Sequence, residues 1–323
     1  MRPFFALLLA LATFAPLGIA SPAQAAEKVA VGIVGGFNAF TWPAAIAVSK
    51  GFYTARGIDA DIIFMPSSPG MLQQLAAGSL DIAGSAGLVD PVRLVARNAP
   101  IALGRIELRV SPYDLVAKSS FASIAELKGK NVAIGSRSDI TWVLIVKMLG
   151  SAGLAPNDVE MMYSGSTVSR YSALKAGAFD ATFLAPPLNF IARGEGFRSL
   201  GIAGDYAKDL PFTGSIVNRN WAAAHMAAAK NFFAANDQAD DWLGDPAHRD
   251  EAIKILIEQS KSNAEDAARS YDFLVGGHYF DNTHKVSRRG VAALVQALHD
   301  LGDSDVNPTA EQSVIAGVTE LEE

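Results

Sequence analysis

The sequence predicts an α/β fold in two lobes, each a mostly parallel sheet flanked by helices, with a two-strand hinge between them. Three features lead to this prediction. Short apolar segments alternate with helical segments, which is the order that builds a parallel sheet covered by helices. The order strand–helix–strand–helix–strand occurs twice, over about residues 29–84 and 131–184. Each series contains the motif L-x-A-G-x-x-D, at Leu75–Asp81 and at Leu174–Asp180, which indicates two lobes of like design.

The first series opens on Val29–Val34, a continuous apolar run that is typical of a strand buried on both faces. A helix is predicted over Trp42–Lys50, and the second strand over Asp61–Phe64. The second helix, Pro69–Ala77, ends at a glycine, and Asp81–Gly84 forms the third strand. In the repeated motif, the leucine packs the last helical turn, the glycine ends the helix and the aspartate opens the next strand.

The second series repeats this order farther along the chain. Its strands are predicted at Asn131–Gly135, Val159–Tyr163 and Asp180–Leu184, and its helices at Asp139–Gly150 and Val168–Ala176. Apolar residues recur at helical spacing in the first of these helices, which predicts one buried face.

Two segments flank the second series, and we interpret them as the strands that cross between the lobes. They are Ile101–Glu107 and Gly204–Phe212. Lobe two is then residues 111–205, and lobe one is assembled from residues 26–110 and 206–323.

The returning C-terminal segment is predicted to be helical. One helix covers Trp221–Ala235, and a second runs to Ser260 with Asp245 as its N-cap and Pro246 in its first turn. Residues 303–323 are acidic and weakly patterned, so we expect a loose tail there.

The N-terminus has the three parts of a secretory signal peptide, predicted over residues 1–25. Arg2 supplies the positive charge, Phe4–Ala20 the apolar stretch and Ala23–Ala25 the small-x-small cleavage site, so the mature chain should begin near Ala26. A membrane anchor is the alternative, but the apolar stretch is short for a bilayer span of roughly 20 residues. The expected location is therefore the periplasm.

Composition excludes several classes of protein. The chain contains no cysteine, which rules out disulfides, cysteine nucleophiles and thiolate metal sites. The net charge is −6 without a dense block of lysine and arginine, so nucleic-acid binding lacks its electrostatic footprint. No later apolar run reaches membrane-spanning length, so we expect a mature protein that is not embedded in a membrane. We expect a monomer without a cofactor.

Catalytic and metal-binding motifs are missing from the sequence. It has no H-E-x-x-H, no G-x-S-x-G, no Walker loop and no G-x-G-x-x-G. The 5 histidines lie between His225 and His299, and no acidic cluster completes a metal site around them. We therefore expect neither catalytic residues nor a metal, and a protein that is not an enzyme.

The candidate ligand site lies in the loops that follow the predicted strands, because ligands of open α/β sheets bind beyond the carboxyl ends of the strands. These loops are rich in Gly, Ser, Thr and Pro, and such loops present backbone N–H groups and hydroxyls to a polar ligand. The alternative is that they are ordinary turns and helix caps. The candidate ligand-binding residues are Phe37, Asn38, Phe40, Trp42, Ser67, Ser68 and Ser85 in lobe one, and Arg137, Ser138, Asp139, Thr141, Trp142, Ser164, Gly165, Ser166 and Pro186 in lobe two.

Aromatic and charged residues in these loops suggest the type of ligand. Planar side chains from both lobes, with Trp42 and Trp142 among them, are placed to sandwich a flat molecule, although core packing is the alternative for each. Arg137 stands at a helix start, where a cation needs an anionic partner, either a ligand or Asp139. The prediction is a small planar organic anion, with a neutral heterocycle such as a pyrimidine as the alternative.

Several motifs carry a resemblance to a known family. The motifs are Ala45–Tyr53, Gly57–Ile58, Leu75–Ala83, Ile124–Lys130, Val132–Ile134, Gly244–Pro246 and Arg249. By these motifs, which occur in the family's order, the chain resembles the nitrate/sulfonate/taurine and thiamine-pyrimidine-precursor class of ABC-importer binding proteins.

The resemblance implies a type II periplasmic binding protein fold that closes on a small-molecule ligand. It also implies two partners, a membrane permease and its cytoplasmic ATPase. Two other functions remain open: a binding component for a sensor, and an enzyme on the same fold, such as a decarboxylase or pyrimidine synthase. The fold-related pyrimidine synthases use a Cys-rich motif, which this chain lacks.

Overall fold

The computed structural model describes residues 25–323. The predicted signal peptide, apart from its last residue, lies outside the described residues. Within residues 25–323, no helix combines the length and the apolar character that crossing a membrane requires.

Strands and helices alternate along most of the chain. In chain order the strands are β1 (Glu27–Val34), β2 (Ile58–Met65), β3 (Ile82–Gly87), β4 (Ile101–Leu108), β5 (Asp114–Ala117), β6 (Asn131–Ile134), β7 (Glu160–Tyr163), β8 (Ala181–Leu184), β9 (Arg198–Ile202), β10 (Thr213–Asn218), β11 (Val286–Ser287) and β12 (Leu321–Glu322). The helices are α1 (Trp42–Ser49), α2 (Ser68–Ala76), α3 (Val89–Ala96), α4 (Ile140–Ser151), α5 (Thr167–Lys175), α6 (Leu188–Gly194), α7 (Arg219–Ala224), α8 (Met226–Gly244), α9 (Arg249–Ser260), α10 (Ala264–Leu274), α11 (Arg288–Asp300) and α12 (Ala310–Ser313).

Two five-stranded sheets form the two lobes, and they share one topology. The first has the order β2-β1-β3-β10-β4 and the second the order β7-β6-β8-β5-β9. In the first sheet β1 is parallel to β2 and β3, and β10 is antiparallel to both of its neighbours. In the second sheet β6 is parallel to β7 and β8, and β5 takes the antiparallel place. The predicted fold class, two mostly parallel sheets flanked by helices, is confirmed.

The repeated motif has the same structural role in both lobes. Gly78 and Gly177 each follow a helix in the left-handed conformation, both with φ +79°. Asp81 accepts a hydrogen bond from a backbone N–H of β1 at 2.8 Å, and Asp180 accepts one from a backbone N–H of β6 at 3.0 Å. The motif therefore ends a helix and ties the following strand to the first strand of each series.

The crossing segments differ from the prediction. Residues 101–108 form β4, an edge strand of the first sheet, so the first crossing is the short segment 109–113. The second crossing, 203–212, is irregular apart from a short 3-10 turn at Ala203–Tyr206. An apolar run suits an edge strand and a crossing strand equally well, which is why the pattern misled. Leu108 and Thr213 are partners in the sheet, so the chain leaves lobe one and returns to it at the same place.

The end of the chain also differs from the prediction. Residues 303–323 pack against lobe one, with Val306 and Val314 almost fully buried. Arg219 donates a hydrogen bond to the carbonyl oxygen of Val314 at 2.8 Å, and β12 pairs with β11. The Thr319 hydroxyl also donates to the carbonyl oxygen of Gly104 at 2.9 Å. These contacts lie far apart along the chain, so they form no local pattern that the sequence could show.

The C-terminal helices cover one face of the first sheet. Helices α1, α8, α9 and α10 form a core there, which contains Trp42, Ile46, Phe232 and Leu256. This layer positions the loop after β1, because that loop runs directly into α1.

Candidate functional site

A cleft of about 210 Å³ lies between the lobes, at the carboxyl ends of the strands. Its walls are formed by the loops after β1, β7 and β8 with the helices that follow them, by Ser85 within β3, by the first crossing segment and by the turn after α9. The residues that line it are Val34, Gly35, Gly36, Phe37, Asn38, Phe40, Thr41, Ser85, Tyr113, Gly165, Ser166, Thr167, Val168, Ala185, Pro186, Pro187, Leu188, Ile191, Ser260, Lys261 and Ser262.

The lobes touch at the rim of this cleft. A Cβ atom added to Gly165 of lobe two would lie 2.8 Å from the carbonyl oxygen of Pro66 in lobe one. A Cβ atom on Gly35 would lie 3.3 Å from the Cβ of Ser166. Glycine at both positions therefore lets the lobes close on the cleft, which is a constraint that only the three-dimensional structure shows.

Seven of the predicted site residues line the cleft. They are Phe37, Asn38, Phe40, Ser85, Gly165, Ser166 and Pro186. The other nine do not line it, and the structure gives each of those a different environment.

The aromatic wall of the cleft combines a predicted residue with one that the sequence did not single out. The ring of Phe40 meets the ring of Tyr113 edge to face, with the centroids 5.2 Å apart, and that of Phe212 at 5.4 Å. Tyr113 also stacks on Phe183 of β8, with centroids 5.6 Å apart. Because Tyr113 belongs to the first crossing segment, this wall joins the two lobes.

Ser85 offers an unsatisfied hydroxyl to the cleft. It adopts a left-handed backbone conformation with φ +52°, which is strained for a serine. Its Oγ atom is buried and has no hydrogen-bond partner among the described residues. A ligand that reaches this hydroxyl would supply the missing hydrogen bond.

Trp42 is a correction to the sequence prediction, because it belongs to the core. Its side chain is 0% exposed, and its indole N–H donates to the carbonyl oxygen of Ala252 at 2.9 Å. Its ring packs edge to face on Tyr271, with the centroids 5.8 Å apart. Helices α9 and α10 return from the C-terminal segment and cover it.

Arg137 and Trp142 are corrections as well. The Arg137 guanidinium lies over the Trp142 ring, 4.5 Å from its centroid, so these two side chains satisfy each other. They face a separate, open depression beside Arg93 and Asp303, away from the cleft.

Ser138, Asp139 and Thr141 also lie outside the cleft. Asp139 caps α4 and accepts a hydrogen bond from the backbone N–H of Thr141 at 2.8 Å, and burial raises the pKa of its carboxyl. Ser138 contacts lobe one instead: its hydroxyl donates to Asp90 at 3.2 Å, and its carbonyl oxygen accepts from Arg93 at 2.8 Å. These residues cap a helix and join the lobes.

The remaining predicted serines lie in turns and at helix starts outside the cleft lining. Ser67 caps α2 and accepts from the backbone N–H of Gly70 at 3.4 Å. The Ser68 hydroxyl is buried within the first turn of α2. Ser164 donates to the hydroxyl of Ser169 at 3.1 Å. For these three residues the alternative reading, ordinary turns and caps, describes the structure.

The cleft contains a charged residue that the sequence analysis missed. Lys261 follows α9 in the left-handed conformation, with φ +59° and ψ +23°. Among the described residues that line the cleft, it alone carries a charge. The sequence signal was a lysine where glycine usually ends a helix, but its approach to a loop some 220 residues earlier depends on the tertiary fold.

A second arginine lies directly behind the cleft wall. Arg170 is 1% exposed and uses its five N–H groups on five neutral oxygens. It donates to the carbonyl oxygens of Phe183, Ser164 and Gly165, each at 3.0 Å, and to the hydroxyls of Tyr113 and Thr167, each at 3.2 Å.

Lobe one contains a buried charged network below the cleft. Arg105 is 2% exposed and forms ion pairs with Asp237 at 2.7 Å and with Asp240. Burial raises the pKa of Asp240 to about 7. A chamber of about 20 Å³, roughly the room for one water molecule, separates this network from Ser85. Within residues 25–323, no three His, Asp or Glu side chains gather in a metal-binding cluster.

Comparisons with known proteins agree with this architecture. Residues 39–248 match the family model described as NMT1/THI5 like. A binding protein of Brucella abortus is 29% identical over 281 residues, which cover 83% of this chain and 82% of that protein.

Two solved structures illustrate the shared fold. The alkanesulfonate-binding protein SsuA from Xanthomonas axonopodis pv. citri, bound to MOPS, superposes with a TM-score of 0.74 at 19% identity, over 93% of this chain and 100% of that one. The periplasmic nitrate-binding protein NrtA from Synechocystis PCC 6803 superposes with a TM-score of 0.66 at 19% identity, over 76% of this chain and 70% of that one. The fold is that of periplasmic binding proteins.

Proposed function

Because this chain belongs to the NMT1/THI5-like family, we propose that it is a periplasmic solute-binding protein that captures a small organic molecule between its lobes and delivers it to an ABC importer. The observation that carries the proposal is the cleft itself, walled by aromatic and hydroxyl side chains from both lobes. The Brucella relative is named as a binding protein, and the two superposed structures are an alkanesulfonate-binding and a nitrate-binding protein. The partners are then a membrane permease and its ATPase.

The ligand is a small planar organic anion under this proposal. The rings of Phe40 and Tyr113 and the prolines at 186 and 187 offer flat apolar surfaces, which favour a planar molecule. Lys261 supplies the charge that sequence analysis assigned to Arg137. Ser85 and Ser166 add hydrogen-bonding groups, which orient a polar substituent.

Binding without turnover fits the groups at hand. Among the described residues that line the cleft there is no His, Asp or Glu, the side chains that most often act as general acids and bases. The family relatives compared above are binding proteins as well. Export to the periplasm follows from the predicted cleavage site, and N-terminal sequencing of the periplasmic protein should begin near Ala26.

Native mass spectrometry of the protein purified from periplasm tests the proposal. We expect the wild type to carry a small molecule. The variant Ile191→Trp places a larger side chain in the cleft wall and should lose the bound molecule. Ser172→Trp adds the same ring at an exposed position on α5 and should keep the bound molecule. Cargo retained by Ile191→Trp, or lost equally from both variants, would contradict binding between the lobes.

A further inference from the structure

The starting point is the charge of Arg170. A guanidinium stays protonated in proteins, and this one is buried behind the wall formed by Tyr113 and residues 165–167. Its five hydrogen bonds all end on neutral oxygens. Asp139 makes no hydrogen bond to Arg170. Burial raises the pKa of the Asp139 carboxyl, and the positive charge of Arg170 partly opposes that increase. Among the described residues no carboxylate forms an ion pair with Arg170, so its charge can act on the cleft through the hydroxyls of Tyr113 and Thr167.

The second step concerns the direction of two hydroxyl groups. A guanidinium can only donate, so the hydroxyls of Tyr113 and Thr167 must accept from Arg170. Each hydroxyl still has its own hydrogen to donate, and neither donates it to a described residue. Both residues line the cleft, so a ligand there is the acceptor that we assign to these two hydrogens.

The third step is the effect of the cation on these donors. A hydroxyl that accepts from a cation is polarised, and its own O–H becomes a stronger donor, because hydrogen bonds in a chain reinforce one another. Two such donors on one wall suit the oxygens of an acidic group better than they suit a neutral carbonyl.

We propose that Tyr113 and Thr167, backed by Arg170, form a subsite that binds the carboxylate or sulfonate group of the ligand. Tyr113 and Thr167 touch the ligand, and Arg170 is a positioning residue that acts through them. Lys261 supplies the compensating charge from lobe one. The inference rests on the proposed function and specifies where the acidic group lies.

Calorimetry with matched aromatic probes tests the subsite. The anionic probes are benzoate and benzenesulfonate, and their neutral counterparts are benzamide and benzenesulfonamide. Tyr113→Phe removes one hydroxyl and keeps the ring on Phe183, so affinity for the preferred anion should fall about tenfold and affinity for the neutral probe clearly less. The matched control is Tyr163→Phe, an exposed tyrosine outside the cleft, which should change neither affinity.

Thr167→Val provides a second, independent variant. It keeps the side-chain shape at the start of α5 and should lower the ratio of anion to neutral affinity several-fold. A purely structural role for these hydroxyls would reduce the binding of both probes equally, so the ratio separates the two roles even if one variant is less stable.

The results that overturn the subsite are equal losses for the charged and neutral probes, tighter binding of the neutral probes, or no binding of either anion by the wild type. A neutral molecule found in the cleft by native mass spectrometry would also overturn it while leaving the proposed function standing. Absence of any cargo in the wild type, by contrast, would count against the proposed function itself.

Discussion

Each lobe holds one buried arginine close to the cleft, and the two differ in what surrounds them. Arg105 of lobe one is 2% exposed and is paired with Asp237 and Asp240. Arg170 of lobe two is 1% exposed and meets only carbonyl and hydroxyl oxygens among the described residues. The first charge is paired with carboxylates inside the core, and the second has no ion pair among the described residues. The two arginines are equally buried, so the difference between them lies in their acceptors.

The largest expected effect comes from breaking the neutralised pair. Asp240→Ala leaves Arg105 buried with one fewer carboxylate, so the free energy of unfolding should fall by about 3–5 kcal/mol in urea denaturation. The control is Glu195→Ala, which removes the exposed pair with Lys175 and should cost less than about 1 kcal/mol. Similar small losses in both variants would show that the Arg105 network contributes little to stability.

The buried carboxylate of Asp90, at the contact between the lobes, should make the stability of the protein depend on pH. Burial raises the pKa of Asp90, whose partners are Arg93 and Ser138, to about 7 from an ordinary value of 3.8. The Asp90 carboxyl therefore binds a proton more tightly in the folded state than it does in the unfolded chain. Its contribution to stability is fully present below pH 3.8 and is lost as the pH rises through about 7.

The corresponding measurement is the pH dependence of unfolding. The wild type should lose up to about 1.4 kcal/mol per pH unit between these limits through Asp90, and Asp90→Asn should remove that part of the slope. Asp250→Asn makes the same substitution at an exposed carboxylate and is the matched control. The same slope in all three proteins would mean that Asp90 titrates normally.

Lys261 is an exposed charge in the cleft between the lobes, and its replacement should have opposite effects on stability and on binding. Lys261→Gly removes the strain of a lysine in the left-handed conformation, so the free energy of unfolding should rise by about 1 kcal/mol. Loss of the charge should weaken binding of an anionic ligand about tenfold.

Lys261→Arg keeps the charge and should keep most of the affinity in the same calorimetric titration. If Lys261→Gly binds the anion as tightly as the wild type does, Lys261 is only a helix end.

The smallest expected effect concerns Arg137, whose charge rests on an aromatic ring outside the cleft. Arg137→Ala removes a cation–π contact of about 0.5–1 kcal/mol and should leave ligand affinity unchanged. A tenfold loss of affinity by calorimetry would restore the role that the sequence suggested for this residue.

The sequence predicted the fold better than it predicted the site. Strand and helix order, the two series and the L-x-A-G-x-x-D motif depend on local patterns, so they could be predicted from the chain alone. Phe37 and Ser166 could be placed beside the cleft from the sequence because strand-end loops border the cleft in sheets of this type.

Trp42 was misassigned because helices from residues 249–274 return to bury it, and no local pattern contains that contact. Arg137 was misassigned for a similar reason, because its partner is an aromatic ring one helical turn away instead of a ligand. Tyr113, Arg170 and Lys261 acquire their importance only through each other and through the cleft, which combines three distant parts of the chain. Residues that meet through tertiary structure are those that pattern reading misses.

The pairing of Leu108 with Thr213 indicates where lobe two could be separated from lobe one. Because β4 and β10 are adjacent antiparallel strands, a short turn between them would make an ordinary β-hairpin of lobe one. Lobe two is thus an insertion whose two ends lie together, as in other domains that tolerate transplantation. Such geometry would leave the β4–β10 pair intact if lobe two were replaced, so we expect the wall of the cleft that lobe two contributes to be exchangeable as one unit.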